Sequence, residues 1–566
     1  MFVLWSIVSF LHGGLFAQQT TDSTAVSTEV VDVVKSYTPS INLRPKSKWD
    51  IPSSKNTSTL RPEFSYGHED FDFVPSELPG LIRAMGPKKE RAQENLPNYL
   101  RVQLGTRESA VLEGFLMHPL KRDDFLSLAF DHQQLNGPIE GIVLPVDWSE
   151  SSLRAQWRST IKNRLSTLGL AINRSTFQWY GIPDTLDIAP ELKDDFGQNY
   201  LRGRVFHRLG SNGGWFTGLD NELSVFSDGF GVTEWYFSSA PKAELIWDKR
   251  LVSITGNLSL LSTKLGLEDA LITTEDYSAL NIDLGAQTDF NVGDLMLHVG
   301  TKVWTHSGGS GRMFRLFPEL ELSHPILGRK LGAYFTFGGQ YHQNKMSALT
   351  QTLGFLVPGI PLKPQVDRQL LQLGINGALS DLWQYNFGVA YRNFEDQVYF
   401  KRRPWSGQQG SFAYDNGNSF TVDYYDGTEL KYTAKINGRL TARWDVSLNA
   451  AWTDNRPVDN IEPWNIPAFT FGGSAGYHLN DKILLTGRFM SYGPRSDEII
   501  LADQIMVQKV KGFIDAQLHV NYSISKNFSA SLSGINLLNQ QNGLWANYPV
   551  QGMRVNLGLQ YNFRAF

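Results

Sequence analysis

The last stretch of the chain alternates strictly between apolar and polar residues. From Met553 to Phe563 the odd positions are Met, Val, Leu, Leu, Tyr and Phe, and the even positions are Arg, Asn, Gly, Gln and Asn. Because successive side chains of a β-strand point to opposite faces, this stretch predicts a ribbon with one apolar and one polar face. A half-buried strand of a soluble sandwich alternates in the same way. The number and the length of such segments along the chain must decide between a soluble sandwich and a transmembrane barrel.

The same alternation recurs through most of the chain. Roughly 20 alternating segments lie between residues 98 and 564, most of them about 9–14 residues long, which is the length that a tilted strand needs to cross a bilayer. Strands of soluble proteins average only about 5–6 residues. Aromatic residues such as Trp444 and Trp452 stand near the ends of the apolar faces, and short turns alternate with long polar loops. These features predict an all-β fold, a large antiparallel transmembrane β-barrel of about 18–22 strands with an N-terminal extended arm.

Composition excludes several other classes of protein. Only 41% of the residues are hydrophobic, and past the N-terminus no apolar run reaches the roughly 18 residues of a membrane-spanning helix. The formal charge of −4 argues against a nucleic-acid partner. The absence of Cys excludes disulfides and Cys-zinc sites. We therefore expect an integral protein of the Gram-negative outer membrane, with membrane lipid and the barrel-insertion machinery as partners.

The first 97 residues have a different composition. Residues 1–17 are apolar from Phe2 to Phe16 and end at Ala17, before a polar Gln/Thr run, which predicts a signal peptide. A buried N-terminal helix is the alternative. Residues 18–97 are rich in Pro, Ser, Thr, Lys and Glu, cannot build a packed core, and predict an extended arm in the periplasm or the lumen. Residues 98–566 then form the barrel.

The C-terminal region resembles that of TonB-dependent outer-membrane receptors. In that family the penultimate strand ends in an Asn-Leu-Phe-Asn-like turn, a Pro-Gly-Arg-like corner follows, and the final strand closes on an aromatic. Here Asn536–Asn539 fills the turn, with Leu538 where Phe is usual, and Gly552–Arg554 fills the corner. The layout of signal, Pro-rich arm with the stretch Val33–Ser40, and long barrel also resembles plug-less barrels of Bacteroidetes-type outer membranes.

This resemblance implies the barrel architecture and a C-terminal assembly signal. It does not by itself imply energised uptake, because the arm of residues 18–97 is too short and too poor in apolar residues for the folded plug of such receptors. The signal read by the insertion machinery is expected in Tyr561, Phe563 and Phe566. Phe566 has the parity of the lumen-facing row, so Phe563 is the expected recognised aromatic.

One segment of the arm looks like a TonB box, the peptide that pairs as an added strand with the energising protein. An added strand must be extended, β-prone and otherwise unpaired. A TonB-like or other periplasmic partner is one reading, and pairing with the barrel's own rim is the alternative. The segment consists of Thr28, Glu29, Val30, Val31, Asp32, Val33 and Val34.

No catalytic, cofactor or metal site is predicted, so the chain is not expected to be an enzyme. Gly472–Gly476 matches Gly-x-Ser-x-Gly, but it lies within a strand pattern, whereas a nucleophile elbow needs a strand, a sharp turn and a helix. The loop of residues 344–365 contains the apolar run Leu353–Leu362. That run predicts a folded-in constriction or a partner site, or alternatively a short helix packed against neighbouring loops.

Three functions are compatible with these features. The first is a channel or receptor-like pore for transport across the outer membrane, partly occluded by the arm and the long loops. The second is an accessory barrel subunit of an outer-membrane assembly or secretion complex, with the arm as a docking peptide. The third is energised uptake by a receptor without a plug. The first is favoured, and the second is its main alternative.

Overall fold

The computed structural model describes residues 98–564 except 122, 163, 183–195, 212, 267–275, 404–411 and 502–503. The predicted signal peptide, the arm with its segment Thr28–Val34, and Phe566 lie outside the described residues. The described part forms a 22-stranded sheet and a two-stranded hairpin. The strands are β1 (Asn98–Gly105), β2 (Ser109–Lys121), β3 (Asp124–Leu135), β4 (Trp148–Ile161), β5 (Arg164–Gln178), β6 (Gly197–Ser211), β7 (Phe216–Ser227), β8 (Thr233–Trp247), β9 (Arg250–Lys264), β10 (Tyr277–Val292), β11 (Leu295–Gly308), β12 (Gly311–Pro325), β13 (Gly332–Gln343), β14 (Pro364–Ser380), β15 (Trp383–Arg402), β16 (Phe420–Thr441), β17 (Trp444–Pro457), β18 (Phe469–Asn480), β19 (Ile483–Tyr492), β20 (Arg495–Leu501), β21 (Gln504–Val510), β22 (Phe513–Ser523), β23 (Phe528–Ile535) and β24 (Arg554–Phe563).

The large sheet closes on itself. Neighbouring strands pair antiparallel in chain order, and β19 pairs directly with β22, so that the β20–β21 hairpin stands outside the barrel wall. The last strand pairs with the first, with Asn98 opposite Phe563 and Gly105 opposite Asn556. Closure leaves no free edge, which a sheet in lipid requires because every backbone polar group must be paired internally. The predicted all-β barrel of about 18–22 strands is confirmed.

The alternation of the last strand has the expected two faces. Leu557 and Leu559 on the odd row of β24 are 67% and 63% exposed on the outer wall, whereas Arg554 and Asn556 on the even row are buried. Gly472–Gly476 lies inside β18, in strand conformation, as expected for a barrel strand rather than a nucleophile elbow. The outer wall is therefore apolar and the inner wall polar.

The two rims of the barrel differ. One rim carries the start of β1, the end of β24 and the short turns, such as residues 248–249 and 481–482. The other carries the long connections: loop A (residues 179–196), loop B (344–363), loop C (403–419) and loop D (536–553). Short turns are periplasmic and long loops extracellular in such barrels.

Helical structure is scarce in the described residues. Loop B contains the helix α1 (Met346–Thr352), and a 3-10 turn covers Val458–Asn460. Among the described residues, no helix is long and apolar enough to cross a membrane.

Candidate functional site

The extracellular mouth holds the main hydrophobic cluster of the described residues. We call this cluster the mouth cap. Loops A and B are rooted eight strands apart in the 22-stranded ring, at β5–β6 and at β13–β14. Loops that start so far apart can touch only by crossing the opening. The buried cap residues contributed by loops A to D are Trp179, Phe196, Met346, Leu349, Leu353, Leu356, Val357, Ile360, Leu362, Tyr414, Leu544, Trp545 and Tyr548.

The centre of the mouth cap is an aromatic stack between loops B and D. The rings of Phe355 and Tyr548 lie 3.6 Å apart between centroids and are nearly parallel, at 16°. Tyr180 of loop A packs edge-on against both rings, at 6.0 Å and 5.0 Å. A Cβ on Gly181 would lie 2.4 Å from the Tyr548 ring, so only glycine allows this approach. Burial raises the pKa of the Tyr548 phenol well above its usual range, and its hydroxyl stays neutral and donates to the Asn418 carbonyl.

Helix α1 is held by a part of the barrel wall that lies five strands from the loop's own root. Glu234, at the start of β8 and 2% exposed, accepts hydrogen bonds from the backbone N–H groups of Met346 at 2.6 Å and Ser347 at 3.1 Å. It also accepts one from the Ser347 hydroxyl at 2.6 Å. The first N–H groups of a helix have no partner within the helix, so an external carboxylate satisfies them. Glu234 therefore clamps loop B to β8, five strands away from β13 in the ring.

Other polar contacts secure the same helix. Arg202 on β6 donates to the Ser347 carbonyl at 3.3 Å and to the Thr350 hydroxyl at 2.9 Å. The Lys345 ammonium lies 3.8 Å from the centroid of the Tyr236 ring. Burial lowers the pKa of Lys345, and the nearby carboxylates, Glu222 and Glu234, oppose that effect. Charged side chains therefore link loop B to β6 and β8.

The rim of the mouth cap is tied by backbone hydrogen bonds and buried ions. Val357 N–H donates to the Phe420 carbonyl at 2.8 Å, and Phe420 N–H donates to the Phe355 carbonyl at 2.9 Å. Arg495, at the base of the β20–β21 hairpin, donates to the carbonyls of Gly543 and Leu544 of loop D, both at 2.6 Å. Burial lowers the pKa of Arg495 to about 10. The hairpin base and loop D therefore form one unit.

Below the cap the inner wall is polar and its charges are mostly paired. All but one of these pairs join a cation to a carboxylate on an adjacent strand, the exception being Arg315 on β12 with Glu395 on β15, as expected for a water-filled lumen rather than an apolar core. The pairs are Arg101 with Glu113, Arg154 with Asp131, Arg204 with Glu222, Lys242 with Asp220, Lys302 with Glu319, Arg315 with Glu395, and Arg392 with Asp367 and Glu429.

One acid beside the cap predicts a pH dependence. In the connection between β7 and β8, Asp228 Oδ1 accepts from Phe230 N–H at 2.9 Å and Val232 N–H at 2.8 Å, and the Phe230 ring packs on Tyr414. Oδ2 is buried and has no partner among the described residues. Burial raises the pKa of Asp228 from 3.8 to about 6. Between pH 3.8 and about 6, Asp228 is protonated in the folded connection but ionised in the open one. The stability of the folded connection therefore falls as pH rises through this range and stays constant at higher pH.

Hydrogen exchange at Phe230 and Val232 will measure this effect. After correction for intrinsic exchange, protection should decrease from about pH 4 to pH 6 in the native protein and stay level in Asp228→Asn, which keeps the acceptor without the charge. Asp276→Asn is the matched control, because Asp276 also accepts a backbone N–H, from Leu265 at 2.9 Å. A slope that survives in Asp228→Asn would show that another group titrates.

The structure brings together only part of what the sequence singled out. Tyr561 and Phe563 lie on β24 at the periplasmic rim with ring centroids 5.5 Å apart, while Phe566 and the segment Thr28–Val34 lie outside the described residues. The apolar loop 344–365 was predicted either to fold into the lumen or to contain a short packed helix, and it does both. No group of three or more His, Asp or Glu side chains suited to a metal occurs in the described ranges.

Sequence reasoning missed loop D and the β20–β21 hairpin. The sequence predicts a turn at Asn536–Asn539 and a corner at Gly552–Arg554, and the structure shows that residues 536–553 form one long loop that delivers Trp545 and Tyr548 to the mouth cap. The polar run Gln540–Gly543 before two aromatics was the available signal. The sequence predicts residues 493–510 as one of the long polar loops, whereas β20 and β21 pair as a hairpin within them.

Comparison with known proteins identifies the fold. No protein-family model and no curated protein sequence matches the chain. Among solved structures, the siderophore receptor PirA from Acinetobacter baumannii superposes with a TM-score of 0.61 at 12% identity, covering 82% of this chain and 80% of the receptor. The FrpB iron transporter from Neisseria meningitidis gives 0.60 at 11% identity, covering 82% and 81%. The ferripyoverdine receptor of the outer membrane of Pseudomonas aeruginosa gives 0.60 at 13% identity, covering 82% and 71%.

These similarities show that the chain has the same β-barrel fold as these receptors. The matched proteins are named as a siderophore receptor, an iron transporter and a ferripyoverdine receptor. Whether the lumen lacks a plug stays a prediction, because the first 97 residues lie outside the described part.

Proposed function

We propose that this protein is a gated pore for transport of solutes across the outer membrane. The observation that carries the proposal is the mouth cap: loops rooted on opposite walls meet over a lumen whose wall carries paired charges. A polar inner wall is typical of barrels with a water-filled channel. The similarity of the fold to receptors named for siderophore and iron transport supports the same function class.

The contacts that close the mouth are reversible. They consist of side-chain packing between loops, of hydrogen bonds from Glu234 and Arg202 to α1, and of two backbone hydrogen bonds between loop B and Phe420. No strand ladder joins loop B to β6 or β8 in the described residues. Loop B can therefore leave the mouth while the barrel wall stays intact, which is the property that a gate needs.

Conductance in planar bilayers tests the proposal. The full chain is compared with Phe355→Ala combined with Tyr548→Ala, each with and without residues 18–97. Removing the central stack should open the mouth, because truncating a buried aromatic costs about 3–5 kcal/mol. Phe314→Ala is the control, since Phe314 is 65% exposed on the outer wall and lies away from the cap.

We expect a mostly closed full chain and an open pore in the double variant. If none of the four forms conducts, transport is contradicted and the accessory-subunit function is favoured. An open pore only without residues 18–97 would place the gate in the arm rather than in the mouth cap.

Two further assignments are proposed with this function. Thr28–Val34 would dock a periplasmic or TonB-like partner by strand addition, because it is β-prone and lies in a Pro-rich, extended context. Tyr561, Phe563 and Phe566 would form the signal read by the insertion machinery. We also propose that the barrel has no enzymatic activity.

A further inference from the structure

One sector of the lumen wall is buried below the mouth cap, whereas comparable positions elsewhere on the inner wall are partly exposed. This sector consists of the inner rows of β23, β24, β1 and β2, and we call it the covered wall. Within it Arg101 pairs with Glu113 on the adjacent strand, and the Arg101 side chain is 3% exposed. Arg154 and Lys302 form ion pairs of the same kind elsewhere on the inner rows, yet their side chains are 45% and 28% exposed. The covered wall therefore has something against it on the lumen side.

The covered wall is flat and lies apart from the loops. Gln103 is 1% exposed and lies along the wall, because its amide donates to Ser531 Oγ at 3.1 Å across Gly558. Loop D leads into β24, but its hydrogen bonds lie at the extracellular end, where Tyr548 donates to the Asn418 carbonyl. The main contacts of β1 and β24 are with the strands beside them in the ring. The described residues therefore do not supply the cover.

Two buried polar atoms of the covered wall indicate what kind of group lies against it. Oε1 of Gln103 and Nε of Arg101 have no hydrogen-bond partner among the described residues. A buried polar group without a partner is costly and therefore rare. One of these atoms accepts and the other donates, and a peptide backbone offers one donor and one acceptor at each residue. A polypeptide segment without secondary structure of its own therefore fits the covered wall.

We propose that residues 83–97, the end of the N-terminal arm, lie inside the lumen as an extended strap along the covered wall. Residue 97 precedes Asn98, which begins β1 at the periplasmic rim, so the arm reaches the barrel beside this wall. Fifteen extended residues span about 50 Å, whereas the eight residues of β1 span about 26 Å. The strap is therefore long enough to follow the wall from the rim to the mouth cap.

The one-sided burial distinguishes a strap from a folded plug. A globular domain that filled the lumen would cover the inner rows all round. Instead, Gln156 on β4 and Lys435 on β16 are exposed on the lumen side. The strap therefore narrows the lumen on one side and leaves a passage beside these strands. This inference goes beyond the proposed function, because a barrel that transports nothing could hold the same strap.

Thiol labelling of the purified full chain in a non-ionic detergent tests the strap. Ser529 is buried on the inner row of β23, Ser474 is partly exposed on the inner row of β18, and the chain has no native Cys. The probe is N-ethylmaleimide, which is small enough to enter by the periplasmic mouth. Replacing residues 83–97 with a Gly-Ser linker of equal length should speed the labelling of Ser529→Cys at least about tenfold, which corresponds to about 1.4 kcal/mol of cover. Labelling of Ser474→Cys, the matched control, should change by less than about twofold.

Crosslinking then tests whether the arm itself is the cover. Ala92→Cys, six residues before Asn98, is combined with Ser529→Cys, two strands from β1, or with Ser474→Cys, five strands from β1. A short bis-maleimide should join the first pair and not the second. Equal labelling of Ser529→Cys with and without the native segment, or equal crosslinking of both pairs, would overturn the strap. Neither measurement involves conductance, so the strap and the proposed function can fail separately.

Discussion

Glu234→Ala should raise the open fraction of the pore by about two orders of magnitude. The substitution leaves the N–H groups of Met346 and Ser347 and the Ser347 hydroxyl without their acceptor. Hydrogen bonds to a charged group contribute about 1.5–3 kcal/mol each, and a net loss of about 3 kcal/mol corresponds to about a hundredfold shift. Single-channel recording of open probability measures the effect.

Two further variants make the test of the clamp specific. Glu234→Gln keeps an acceptor but not the charge, so its open probability should fall between those of the native protein and Glu234→Ala. Glu244→Gln removes a carboxylate from the same row of the same strand, away from α1, and should leave the mouth closed. An equal open probability in Glu234→Ala and Glu244→Gln would show that Glu234 does not hold the mouth closed.

Replacing residues 345–362 with a short Gly-Ser linker should leave a barrel that is permanently open. Loop B supplies seven buried residues to the apolar cluster, among them Met346, Leu353 and Leu356, and its loss removes one side of the Phe355–Tyr548 stack. The barrel should still assemble, because β13 and β14 pair with each other directly and their ladder does not involve the loop. Continuous conductance with normal heat-modifiable migration on gels is the expected result.

The β20–β21 hairpin offers the control for this replacement. Shortening it by residues 499–506 removes a segment from the same extracellular face, while Arg495 keeps its bonds to loop D. This variant should remain closed. If both deletions open the pore equally, the extracellular loops close the mouth only by general crowding and not through loop B.

The barrel itself could be predicted because its signal is local. Each strand carries the alternation that sets lipid and lumen faces, and the odd row of β24 lies on the outer wall as Leu557 and Leu559 indicated. Strand length separated a membrane barrel from a soluble sandwich. The apolar run Leu353–Leu362 was visible for the same reason, since a long loop seldom carries so many apolar residues without burying them.

The mouth cap could not be predicted because it depends on which loops meet. Phe355 and Tyr548 are 193 positions apart in the sequence, and Glu234 is 112 positions from Met346. Nothing local marks Glu234 as a clamp, because its row on β8 carries other polar residues as well, among them Lys242 and Glu244. Glycine is required at position 181 only because the Tyr548 ring packs against it, and this contact depends on the tertiary structure.

Thiol labelling from the outside tests most directly whether the mouth cap closes the pore. The chain has no native Cys, so Ser474→Cys places a single thiol on the lumen wall of β18. In intact cells a bulky, membrane-impermeant maleimide should label this position slowly in the full-length protein. When residues 345–362 are replaced by the linker, labelling should be faster by at least about tenfold, the factor that 1.4 kcal/mol of closure supplies. Equally fast labelling of both proteins would contradict the closed mouth.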